Sequence, residues 1–197
     1  VLYFLLVTAS FVQSEVFGQS KFSDNLKISG SYHYGYSLPE YSFISYLTND
    51  YIQSFEVNLL KETSGKSPWE SLYNYPEYGV SFFYTTLGNQ QVFGSAYALN
   101  YFFKLKFIDR KRFDFYNRTG IGLGYLTNRY DINSNYMNLA IGSHFNVHFV
   151  FKLGVQCSLT DRLSSNIGLS FDHFSNANTR DPNRGLNAFT GEIGVEY

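Results

Sequence analysis

The sequence predicts an all-β fold, an eight-stranded antiparallel transmembrane β-barrel of the outer membrane. Three observations carry this reading. Hydrophobicity alternates with a period of two in about eight segments of roughly ten residues, the length a tilted strand needs to cross a bilayer. Aromatic residues make up 20% of the 197, with 18 Tyr and 20 Phe. The polar face of the alternation carries Lys, Arg, Asp, Glu, His and Gly, while the other face is almost wholly large and apolar. A soluble sandwich also alternates, but it must pack its bulky faces inside, and eight strands enclose too little room for so many rings. With the apolar face turned to lipid, rings form the interfacial girdles and paired polar groups fill a narrow interior.

Side chains at i and i+2 share a face of a strand, so each segment can be read in turn. In the first, Leu26, Ile28, Tyr32, Tyr34 and Tyr36 oppose Lys27, Ser29, Ser31 and His33. In the second, Phe55, Val57 and Leu59 oppose Ser54, Glu56 and Asn58, and in the third Val80, Phe82 and Tyr84 oppose Ser81 and Thr85. The fourth sets Phe93, Tyr97, Leu99, Tyr101, Phe103, Leu105 and Phe107 against Gly94, Ala96, Ala98, Asn100, Lys104 and Lys106. The fifth, Phe113 to Thr127, sets Phe113, Phe115, Ile121, Leu123 and Tyr125 against Asp114, Arg118 and three glycines; Asn117 breaks its pattern. The sixth is the cleanest, with Phe145, Val147, Phe149, Phe151, Leu153 and Val155 against His144, Asn146, His148, Lys152 and Gln156. Ile167, Leu169 and Phe171 then oppose Asn166, Ser170 and Asp172, and finally Phe189, Ile193, Val195 and Tyr197 oppose Thr190, Glu192 and Glu196.

An even number of strands puts both ends of the barrel on one side, taken as periplasmic. Ser37–Asp50, Gly88–Gln91, Asn128–Asn138 and Asn176–Leu186 are then outer loops, and the turns at Asp109–Lys111, Thr160–Arg162 and the longer Lys61–Glu77 are inner ones. The closing aromatic, Tyr197, resembles the assembly signal of outer-membrane barrels. Residues 1–20 open on the apolar run VLYFLLVTASFV and read as the remnant of a secretory signal peptide, with the barrel occupying 21–197. A net charge of −1 gives no case for a nucleic-acid partner. A single cysteine, Cys157, excludes an intramolecular disulfide and a cysteine-based zinc site. His33, His144 and His148 fall on the interior face. A metal site and a hydrogen-bond network with Glu56, Asp114, Arg118, Lys152 and Glu196 are the alternatives there, and the need to pair buried charge favours the network.

The chemistry concentrates in Phe171–Asn187, FDHFSNANTRDPNRGLN. His173 and Ser175 share parity with Ile167, Leu169 and Phe171, so both point toward lipid at the outer end of the seventh strand. A base beside a hydroxyl is the minimum pairing for an activated nucleophile. Its substrate would be an amphiphile held in the membrane. A polar pair capping a strand in the interfacial belt is the structural alternative. Asn187 shares parity with Phe189 and also faces outward; Asp172 and Glu192 face inward.

His-Phe-Ser-Asn-Ala, then Pro-Asn-x-Gly, then a last strand, resembles the lipid A 3-O-deacylase family of outer-membrane enzymes (PagL-like). Weaker similarity, including acyloxyacyl hydrolases, extends through His33-Tyr34-Gly35, Thr63–Trp69 and Ile141-Gly142-Ser143. The resemblance implies Ser175 as nucleophile and His173 as general base. It implies an oxyanion hole from the Asn176 side chain and the backbone N–H near Asn178, with Asn187 at the position of the third member, where the family carries a Glu. It implies an esterase acting without cofactor or metal, embedded in the outer membrane. The partner implied is lipid A or lipopolysaccharide of the outer leaflet, approached by loop cations such as Arg129, Arg180 and Arg184. A homodimer is left open. The rival reading is a non-catalytic structural or adhesive barrel.

Overall fold

The computed structural model describes residues 26–109 and 112–197. The leader expected over residues 1–20 and the turn residues Arg110 and Lys111 lie outside the described residues. The described residues form strands β1 (Leu26–Ser37), β2 (Ile52–Glu62), β3 (Glu77–Thr86), β4 (Ser95–Asp109), β5 (Phe113–Leu126), β6 (Phe145–Ser158), β7 (Ser164–Ser175) and β8 (Leu186–Glu196). Single-turn helices α1 (Ser42–Ser45) and α2 (Pro68–Leu72) lie in the connections after β1 and β2. Each strand pairs antiparallel with its neighbour, and β8 closes on β1. Closure removes every free sheet edge along the paired length, which a bilayer demands because no water is present to satisfy an open edge.

The alternation read from the sequence becomes inside and outside. Phe55, Val57, Leu99, Tyr101, Ile121 and Leu169 are exposed on the barrel wall, and Glu56, Asn58, Asn100, Arg118, Lys152 and Asp172 are buried within it. The interior is a ladder of ion pairs. The Arg118 guanidinium grips Glu56 with two N–H donors, at 2.7 and 3.1 Å, and lies 3.7 Å from the Phe102 ring centre. The Lys152 ammonium bridges Glu56 and Glu192, the latter at 2.6 Å, and Tyr116 donates to Glu192 at 2.9 Å. Nearer the chain termini, Lys104 pairs with Glu77 at 2.8 Å and Glu196 at 3.4 Å. The expected network is therefore present for Glu56, Arg118, Lys152 and Glu196.

The end opposite Leu26 and Tyr197 carries the connections after β1, β3, β5 and β7, while the connections after β4 and β6 at the other end are shorter than any of these. It is the outer end, since outer-membrane barrels have short periplasmic turns and longer outer loops. An apolar plug closes it. Ile44 from α1 packs with Phe83, Leu87, Phe93, Leu126, Ile141 and Phe174. Two expectations are corrected here. Phe93 is not on the lipid face but fully buried in this plug: Gly94, at φ +69°, breaks the extended chain before β4 begins, so parity does not carry back across it. His144 is not an interior residue. It precedes β6, and its Nδ1 lies 2.8 Å from the Leu126 carbonyl while its ring stacks on the outward Tyr125. The connection after β5 accordingly runs to His144 rather than ending at Asn138.

Candidate active site on the lipid-facing wall

β7 ends at Ser175, and its last turns of the zigzag alternate strictly. Asp172 and Phe174 point inward, His173 and Ser175 outward. The inward pair is held tightly. Asp172 lies 3.1 Å from His148 Nε2 and accepts from Ser170 at 2.8 Å. Phe174 stacks on the His148 ring at 4.2 Å, and Phe83 also stacks on that ring, at 5.2 Å. Because the strand is anchored on its inner face, the outward side chains of His173 and Ser175 start from a fixed backbone.

On the outer face, register places Asn187 of β8 directly beside His173. Directly paired strand residues have Cβ atoms only about 4.5–5.5 Å apart. The gap is spanned by a hydrogen bond of 2.6 Å between His173 Nδ1 and Asn187 Oδ1. An amide oxygen only accepts, so His173 Nδ1 is the donor in this bond.

Ser175 Oγ donates to Asn183 Oδ1 at 3.2 Å and accepts from the Ala177 N–H at 3.3 Å. Its hydroxyl is turned to the loop rather than to His173. Residues i and i+2 of a strand stand roughly 7 Å apart along the backbone, and that interval separates His173 from Ser175. Asn183 Oδ1 also accepts from the Asn176 N–H at 3.0 Å. The loop around Asn183 rests on the connection after β5: it bridges to Ile141, Gly142 N–H donates to Pro182 at 2.6 Å, and Arg184 N–H donates to Ala140 at 2.8 Å.

Asn176 is buried, and its amide nitrogen donates to the Arg180 carbonyl at 2.7 Å. Ala177 and Asn178 follow with φ of +53° and +60°, and Asn178 is exposed at the rim. Gly185, last residue of the Pro-Asn-x-Gly turn, has φ +73°, and a Cβ there would come within 2.8 Å of His173 Cε1. The glycine lets the turn close over the imidazole. Arg184 is stacked over Tyr41 at 4.6 Å, which fixes it beside the site at the outer rim. Asn183 went unassigned from sequence, because a loop side chain returning to the strand that precedes it leaves no periodic trace.

Inside the barrel, His33, Glu56 and Glu192 bring ligand-type atoms within 4.8 Å of one another. Lys152 Nζ contacts all three. The cation this cluster balances is therefore a side chain of the protein itself.

Fold and wall together define an outer-membrane β-barrel with a polar constellation facing the bilayer. The family model for lipid A 3-O-deacylase (PagL) matches residues 53–196. The chain belongs to that family. Among solved structures, the outer-membrane enzyme PagL superposes with a TM-score of 0.57 at 17% identity, covering 84% of this chain and 97% of that one. Neisserial surface protein A superposes at 0.54 with 10% identity, covering 87% and 95%. At such identities these likenesses speak for the fold alone. No curated protein matches the sequence.

Proposed function

We propose that the protein hydrolyses an ester-linked acyl chain of lipid A in the outer leaflet, with Ser175 as nucleophile and His173 as general base. The observation that carries this reading is the His173–Asn187 hydrogen bond on the lipid-facing wall, one strand step from Ser175. A polar group facing lipid costs about 1–3 kcal/mol on protein-based scales when it lacks a hydrogen bond. His173, Asn187 and Ser175 avoid that cost by bonding to one another and to Asn183, and family membership supplies a reason for gathering them there. In the reaction, Ser175 Oγ attacks the ester carbonyl as its proton passes to His173 Nε2. The carbonyl π pair moves to oxygen. Collapse breaks the ester C–O bond, and the alkoxide leaves with the proton from His173. Water then attacks the acyl-serine by the same route, releasing fatty acid and restoring the hydroxyl. Asn187 holds the imidazole throughout. The Ser175 hydroxyl must leave Asn183 for His173 when substrate arrives; hydrogen bonds of resting active sites commonly tighten only in the complex. Backbone N–H groups of the Asn176–Asn178 turn are the candidates to receive the oxyanion. The Asn176 amide serves only if it gives up the Arg180 carbonyl.

Two observations favour a second reading, a non-catalytic structural or adhesive barrel: the serine is bonded to Asn183, and the third position is uncharged. Purified protein in detergent with lipopolysaccharide separates the two by mass spectrometry. Acyl loss with the wild type and none with Ser175→Ala or His173→Ala is expected. Equal loss in all three, or none in the wild type, overturns the proposal.

A further inference from the structure

The connection between β2 and β3, residues 63–76, lies at the periplasmic end, where outer-membrane barrels ordinarily keep short turns. It is closed on itself: Thr63 N–H donates to the Pro76 carbonyl at 3.0 Å, Tyr75 N–H to Glu70 at 2.7 Å, and Lys66 N–H to Glu70 Oε2 at 3.0 Å. It also folds back against the outside of the barrel. β3 pairs with β4 only as far as Glu77–Lys104, yet β4 continues to Asp109. The last stretch of β4 is thus without β3 along one edge. Asn74 Nδ2 donates to the Lys106 carbonyl on this stretch at 3.2 Å, and Trp69 packs on the outward Phe103 with ring centres 6.4 Å apart.

Having covered that edge, the segment leaves its own apolar side chains bare. Trp69 is 44% exposed, Leu72 76%, Tyr73 54% and Tyr75 44%. The segment meets β4 through Trp69 at Phe103 and Asn74 at Lys106, and the next residues of that strand, Phe107 and Ile108, are also exposed apolar side chains. This patch is continuous with the surface that the bilayer already covers. Three of the four side chains the segment contributes, Trp69, Tyr73 and Tyr75, are of the types that prefer the headgroup boundary, where an apolar ring and a polar edge are both satisfied. A short turn with an apolar side and no length to span lies in the interface plane rather than across it.

We infer that α2 and its flanking turn are an interfacial anchor, seating Trp69, Leu72 and Tyr73 in the headgroup–acyl boundary of the periplasmic leaflet. The occupant of the patch is bilayer phospholipid. The anchor fixes the height of the β3–β4 side of the barrel and shields the unpaired stretch of β4.

Trp69 is the sole tryptophan of the chain, so its fluorescence reports this site without labelling. The full chain is refolded into phosphatidylcholine vesicles, with dibrominated acyl chains at shallow or deep positions, and titrated separately with acrylamide. The expected result is blue-shifted emission, stronger quenching by shallow than by deep bromines, and several-fold weaker acrylamide quenching than for free tryptophan. Acrylamide quenching near that of free tryptophan, with none from bromolipid, puts the turn in water and overturns the inference. Quenching greatest from the deep positions also overturns it, as does protection from both quenchers, which would mean that protein covers the ring. The variant Leu72→Asp/Tyr73→Asp, checked for barrel folding by its heat-dependent gel mobility, should move Trp69 toward acrylamide and away from bromolipid. Unchanged quenching in the folded variant would show that Phe103 alone holds the ring and would overturn the anchor.

Discussion

Asn187→Asp replaces an amide oxygen by a carboxylate oxygen at a site 2.6 Å from His173 Nδ1. The aspartate side chain is nearly isosteric, so the geometry is retained and only the charge changes. In the transition state of the proposed reaction His173 carries the serine proton and is an imidazolium. A neutral hydrogen bond contributes about 0.5–1.5 kcal/mol and one to a charged group about 1.5–3, so the carboxylate should stabilise that state by roughly 1–1.5 kcal/mol more. This corresponds to about a five- to twelvefold rise in kcat. Direct Coulomb attraction at 4 Å would give about 4 kcal/mol at an effective dielectric of 20. The site is only half-buried at the membrane surface, where screening favours the smaller figure. Asn187→Leu removes the acceptor, frees the imidazole to rotate and should lower the rate by on the order of tenfold or more. The assay is the initial rate of acyl release from lipopolysaccharide in mixed micelles, followed by mass spectrometry on folded protein. An unchanged or slower Asn187→Asp enzyme, together with an unaffected Asn187→Leu enzyme, would refute the orienting role of this residue.

Gly185→Ala should leave the barrel folded but cut activity. The new Cβ falls 2.8 Å from the His173 ring, and a shift of about 1 Å at a catalytic group can cost on the order of a hundredfold; wild-type rate in the folded variant would count against this. Lys152→Met leaves Glu192 and part of Glu56 buried without their shared cation, and should destabilise the barrel by about 3–5 kcal/mol, read as a shift in urea unfolding in micelles. In the loop after β5, Asp131 accepts from the Ser134 N–H, the Asn133 N–H and the Ser134 hydroxyl, which hold its carboxyl below the usual carboxylate range. A depressed folded value means that the turn's stabilisation is present above the unfolded carboxylate pKa and fades as pH falls through the folded one. The Asn133 and Ser134 amide resonances should therefore shift upfield in acid, and a pH-independent spectrum would contradict the bond.

Parity was enough to put His173, Ser175 and Asn187 on the lipid side and Asp172 and Glu192 on the other, and the structure keeps all five there. It failed where the chain is not extended. Gly94, at φ +69°, interrupts the extended chain between Phe93 and β4, and His144 stands one residue before β6 begins. The apolar plug was not legible either, since Ile44, Phe93 and Ile141 come from three separate connections. Nothing periodic relates them, and they meet only because the barrel mouth has a fixed width to fill. The role of Asn183 was hidden for the same reason.

The order of residues alone settles the barrel and the direction in which its polar constellation faces, because alternation is a property of each extended strand and needs no partner. The pairing of His173 with Asn187 is different. It depends on the register of β7 against β8, and a slip of one residue would carry Asn187 to the interior. The resting bond from Ser175 to Asn183 depends further on how two outer loops lean on each other. Those are long-range contacts, set only when the barrel closes.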